Sequence, residues 1–104
     1  MTPIAFNKHV IKLFERIAKK LGQKNADYSN SSLDALKNFK LCELYGDVDM
    51  LDGIYTRISD KFARLSNLLH RDPAVTDESL EDTILDLIGY LAIFHAANTE
   101  RNKS

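Results

Sequence analysis

The stretch from Ile54 to Leu69, IYTRISDKFARLSNLL, most restricts the folds open to this chain. Turned at about 100° per residue, Ile54, Ile58, Phe62, Leu65 and Leu69 fall on one stripe, the spacing of an amphipathic helix that packs on a core. The cations sit in an unusual place. Lys61 lies between Leu65 and Leu68 on this wheel, and Arg57 and Arg64 line that edge within roughly 60° of it. The side opposite the stripe carries Thr56, Ser59, Ala63 and Asn67 instead. A charge at the border of a buried side is costly unless it meets an anion. Two readings follow. In one, the stems lie over the core and the charged heads pair with acids of a neighbouring helix. In the other, the three cations form a partly buried notch for a phosphate or carboxylate ligand. They are compatible where a protein acid holds the notch open.

The remaining segments read as helices too. Thr2 and Pro3 form an entry, a capping hydroxyl followed by a ring tolerated at the first helical position. Phe6, Val10, Leu13, Phe14, Ile17 and Leu21 then repeat at helical spacing, and Gly22 supplies a stop, which predicts a helix over residues 3–21. The polar stretch Gln23 to Ser32, with KNADYSN inside it, reads as a loop. There Tyr28 beside Lys24 and Asp27 offers an aromatic plane with nearby donors, a way of holding a base or sugar; a tyrosine packed under a turn is the plainer alternative. Ser31 or Ser32 caps a second helix over about 32–45 that closes at Gly46. Asp47, Asp49 and Asp52, ahead of Gly53, are acids at the start of the key helix, about 50–70, complementing its dipole. They lack the oxygen spacing and closing glutamate of a calcium loop. Asp72-Pro73 ends that helix. Thr76, Asp77 and Glu78 open a last helix over about 76–98, whose stripe is Leu80, Ile84, Leu87, Ile88, Leu91 and Phe94. Its second half is apolar all round through Gly89, Tyr90, Ile93 and Ala97, as expected of a central helix or an oligomer contact. From Thr99 onward the chain reads as a polar, frayed tail. Strand-like alternation and internal repeats are missing from the sequence. The expected fold is an all-α, four-helix bundle-like single domain spanning residues 1–104.

With 104 residues and 44% hydrophobic content, such a chain can bury a core without disulfides or metal. Its formal net charge of −1 gives no basic field to drive duplex DNA or anionic membrane binding. A single cysteine, Cys42, fits a reducing, cytoplasmic setting. Neither a signal peptide nor a membrane span is expected from the sequence.

Glu78, Asp82 and Asp86 stand at i, i+4 and i+8, a row of like charges that wants cations. Either Arg57, Lys61 and Arg64 satisfy it across a helix interface, or a divalent ion does, since Mg²⁺ takes one or two carboxylates together with substrate phosphates. Nucleophilic catalysis is not indicated. His9, His70 and His95 are on separate segments, Cys42 has no evident activating neighbour, and the glycines form no phosphate loop.

Taken in order, Lys24-Asn25-Ala26-Asp27-Tyr28, Ser59-Asp60-Lys61 with Arg64, and Asp77-Glu78-Ser79 with Asp82-Thr83, Asp86-Leu87 and Tyr90 resemble the nucleotide modification associated domain 1 family, small helical proteins of bacteriophages and bacteria. The resemblance covers residues 24–91. It implies an association with nucleotide or DNA-base modification and, for a phage-encoded member, residence in the host cytoplasm. A more distant likeness is to the all-α NTP pyrophosphohydrolases of the MazG and dUTPase kind, whose paired helices bind Mg²⁺ through acidic clusters. Here Asp82 and Asp86 supply one such row, but the partner helix carries Arg57, Lys61 and Arg64 with Asp60 its only acid between them.

The expected function is thus binding of a nucleotide or nucleotide-derived ligand. Arg57, Lys61 and Arg64 contact phosphate, Tyr28 stacks on the base, and Lys24, Asn25 and Asp27 complete the ligand set. Asp60, Asp82 and Asp86 orient the cations, Asp82 and Asp86 being the residues to carry Mg²⁺ if a metal is bound. A second copy packed through Gly89 and Ile93 is expected to complete the pocket. A Mg²⁺-dependent pyrophosphohydrolase and a phage protein that sequesters a host immune nucleotide are the alternatives.

Overall fold

The computed structural model describes the backbone of residues 1–29, 36–70 and 73–103, and the side chains there except those of 24–29, 42 and 73–78. Among the described residues there are four helices and no strand. The fold is all-α, as the periodicity requires. The chain divides into two compact units, Met1–Ala35 and Leu36–Ser104.

The first unit carries α1, Pro3–Ser29. Its entry is the expected one: Thr2 Oγ1 accepts a hydrogen bond from the Ala5 backbone at 3.1 Å. Its end is not. The helix passes through Gly22 and through the segment read as a loop, so Lys24, Asn25, Asp27 and Tyr28 lie on helical backbone. Gly22 takes no left-handed conformation, and one glycine costs a helix only about 1 kcal/mol relative to alanine. Gln23, Lys24 and Ala26 are good helix formers that offset it. The Ser31 and Ser32 caps lie outside the described residues. On α1 Ile17 is buried, whereas Phe6 and Phe14, expected on its apolar side, are more than half exposed.

The second unit contains α2 (Lys37–Gly46), α3 (Met50–Leu69) and α4 (Pro73–Asn102). Asp47 takes the left-handed conformation, φ 52° and ψ 37°, directly after Gly46. The short polar Asp side chain tolerates a region that most residues avoid. Two residues later Asp49 caps α3, its Oδ2 accepting from the backbone N–H groups of Leu51 at 3.1 Å and Asp52 at 3.3 Å. Glu43 of α2 accepts from Met50 N–H at 2.6 Å, another of the donors a helix start leaves over. Pro73, expected to lie before the last helix, instead opens α4. Its fixed φ suits a first turn where no N–H is required, and Thr76 is therefore already inside α4.

The core of this unit joins Leu36, Met50, Ile54, Ile58, Leu87 and Ala97, with Phe39, Leu51, Leu65, Tyr90, Ile93 and Phe94 packed against it. Ile54 is wholly buried. Leu68 is buried as well, but Phe62 and Leu69, expected on the core stripe, are exposed. The buried side of α3 therefore runs through Met50, Ile54, Ile58, Leu65 and Leu68, turned by about 45° from the expected line. Lys61 consequently sits near the middle of that side. Ile93 packs on the core and Gly89 is buried, so the expected packing of a second copy through these two residues is corrected: both are used within the chain.

Candidate functional site at the α3–α4 seam

The seam is built by two antiparallel helices in one register. Lys61 Nζ pairs with Asp86 Oδ2 at 3.1 Å, Arg64 Nε donates to Thr83 Oγ1 at 3.1 Å, and Arg101 Nη1 meets Asp49 Oδ2 at 3.4 Å. As the α3 number rises, the α4 number falls by about the same amount, which is what antiparallel packing demands.

The Lys61–Asp86 pair is partly withdrawn from water, with side chains 28% and 17% exposed. Ile58 and Leu68 are buried on either side of Lys61 on the wheel, and Leu65 is half-buried between them. An ammonium there loses hydration that Asp86 must replace by charge-assisted hydrogen bonding. The pairing of α3 cations with an α4 acid, read from the sequence as one of two options, is thus present at Lys61 and Asp86. Arg64 follows a different course. Its head lies at the seam's edge and finds Thr83, which is 2% exposed and in turn donates to the Ser79 carbonyl oxygen at 2.7 Å. Thr83 was legible only as a member of a short motif. Its role depends on an i−4 back-bond within α4, which the sequence does not single out.

Arg57 stands one turn before Lys61, exposed and without a hydrogen bond or ion pair among the described residues. Asp60 and Asp82 are exposed and likewise make none there. The structure therefore gathers Lys61, Arg64, Asp86 and Thr83, leaves Arg57 beside them with its head in solvent, and places Asp60 and Asp82 at the surface. Lys24, Asn25, Asp27 and Tyr28 belong to the other unit, and their side chains lie outside the described residues.

At this donor set a divalent ion meets a competitor in Lys61. Among the described residues no three His, Cys, Asp or Glu side chains converge as metal ligands, and of the two acids expected to bind one, Asp86 is held by an ammonium while Asp82 faces solvent. An entering divalent ion would have to displace Lys61 from a partly dry seam.

A second polar cluster joins the far end of the seam. Lys40 of α2 pairs with Glu100, next to the Arg101–Asp49 contact. The segment read as a frayed tail is thus the last turn of α4, tied to α2 and to the cap of α3. Thr99 Oγ1 donates to the His95 carbonyl oxygen at 2.9 Å, another bond that keeps this turn helical. No described helix is long and apolar enough to cross a membrane. Comparison with known proteins gives no matching family model, no matching curated protein and no matching solved structure.

Proposed function

We propose that the Arg57–Lys61–Arg64 flank of the seam binds the phosphate of a nucleotide or nucleotide-derived ligand. One observation carries this reading: the Lys61 ammonium lies near the middle of the buried side of α3, against Asp86 at 3.1 Å. For stability alone, an apolar pair of similar volume in a partly dry place is often as good, so stability does not by itself account for a cation there. Asp86 holds Lys61 extended at the seam. Arg57 and Arg64, a turn to each side, then supply the planar donors that grip phosphate oxygens in pairs. The resemblance of residues 24–91 to a nucleotide-associated family favours a nucleotide over other anions. The engagement of Asp86 by Lys61 weighs toward binding, or sequestration, over Mg²⁺-dependent hydrolysis.

The test is thermal unfolding of the full chain with nucleoside mono-, di- and triphosphates and cyclic dinucleotides, each with and without Mg²⁺. A true ligand at 100 times its dissociation constant stabilises the fold by about 2.7 kcal/mol. Arg57→Ala removes that gain and leaves the ligand-free stability within about 0.5 kcal/mol, as an exposed substitution does. Absence of a shift with every nucleotide, or an equal shift in Arg57→Ala, overturns the reading. Recovery of unaltered ligand separates a binder from a pyrophosphohydrolase.

A further inference from the structure

The α3–α4 pair has two unlike flanks. In antiparallel helices, side chains turned in the same rotational sense away from the contact stripe emerge on the same flank of the pair. Arg57 and Arg64 turn one way on α3, and Asp82 and Asp86 turn the same way on α4. In the other sense stand Tyr55, Phe62 and Leu69 on α3, which are 63%, 53% and 62% exposed, with Ile84 and Leu91 on α4 at 37% and 47%. The register that joins Lys61 to Asp86 sets Phe62 about level with Ile84, and Tyr55 about level with Leu91. Tyr55, Phe62 and Leu69 are also seven residues apart, the spacing of a row that packs along another helix.

We propose that this flank is the interface of a dimer, covered by the same flank of a second copy. Area is the first argument. Five large side chains, each leaving on the order of 100 Å² open, present roughly 500 Å², near the upper end of what a monomer keeps exposed. That is more than half of the ~800 Å² each partner gives to a stable interface. Charge is the second. Within about 60° of Phe62 on the wheel α3 places only apolar residues, Ser59 and Ser66, and between Leu80 and Asn98 the corresponding side of α4 carries Glu81, at its border one turn before Ile84, as its one Lys, Arg, Asp or Glu. Two identical flanks therefore meet mainly through uncharged residues, whereas a partner chosen by charge finds little here to pair with. Symmetry is the third: Phe62 is the middle of its row, so a two-fold axis sets it against its own copy and Tyr55 against Leu69.

The test is sedimentation equilibrium of the full chain. Wild type is expected at twice the 11.8 kDa chain mass. Phe62→Glu and Phe62→Lys, at a half-exposed site, each keep their helical circular dichroism and raise the dimer dissociation constant by about 30-fold or more. Mixing the two variants restores the dimer by pairing opposite charges across the axis. A wild type that stays monomeric at millimolar concentration overturns the proposal, and so does a Phe62→Glu variant as dimeric as wild type. The first result would leave this flank to another segment or to a foreign protein. Because the flank lies opposite Arg57 and Arg64, either failure leaves the phosphate-binding reading standing.

Discussion

Arg64 reaches across the α3–α4 seam to Thr83, its Nε donating to Oγ1 at 3.1 Å, while the same hydroxyl donates to the Ser79 carbonyl oxygen at 2.7 Å. One buried oxygen therefore both anchors a cation and closes onto its own helix. Thr83→Val keeps the shape and removes both bonds. Because Arg64 can rehydrate at the exposed edge, the expected loss is about 1 kcal/mol in urea unfolding, and Thr83→Ser retains most of the stability.

Ile54 is the largest wholly buried side chain of the apolar core, in a cluster with Leu36 before α2 and Leu87 and Ala97 of α4. Ile54→Val is expected to lower the unfolding free energy by about 1 kcal/mol and Ile54→Ala by about 3 kcal/mol, since the deleted methylenes leave a cavity that three helices cannot fully collapse. Phe62→Ala, at an exposed position, is expected to cost less than Ile54→Ala in dilute solution, and a reversed order would refute the assignment of the core stripe.

A double-mutant cycle on Lys61→Met and Asp86→Leu is expected to give a coupling of about 1 kcal/mol. Its partial burial limits screening, so most of that coupling survives in 1 M NaCl. The Lys40–Glu100 pair is more open, with side chains 38% and 50% exposed. Its coupling is expected to be a few tenths of a kcal/mol at low salt and to vanish at 1 M.

Asp49 performs two tasks, capping α3 and meeting Arg101. Asp49→Ala is expected to cost about 1 kcal/mol in chemical denaturation, the usual value of a lost N-cap. Asp49→Asn, which keeps the capping oxygen and gives up the charge, should lose less than half of that. Equal losses would mean that the ion pair, and not the cap, matters at this position.

Much of this arrangement was legible in the sequence, and the lapses have physical causes. Apolar spacing located α3 within one residue at its C-terminus; Asp49 caps its start and His70 its end. It placed Phe62 and Leu69 inside and Lys61 at the border. A stripe read from one helix alone averages all of its apolar residues, whereas the true buried line is set by where α4 lies. Residue type alone marks Gly22 as a stop, but a glycine ends a helix in this way only where the backbone turns left-handed, and among the described residues that turn belongs to Asp47. The Arg101–Asp49 and Lys40–Glu100 contacts carry no periodic signature, since they join residues far apart in the chain. Pairing of an α3 cation with an α4 acid was foreseeable from desolvation cost, but which cation would pair was not.

The Arg101–Asp49 contact has a consequence that its modest strength conceals. Asp82 stands one turn from Asp86, so sliding α4 by four residues, about 6 Å, would still offer Lys61 a carboxylate. That displacement would carry Arg101 away from Asp49 and break the bracing of α4 against the cap. The distant pair thus acts as a lock on alignment: it distinguishes two settings of the hairpin that the central lysine alone would accept equally.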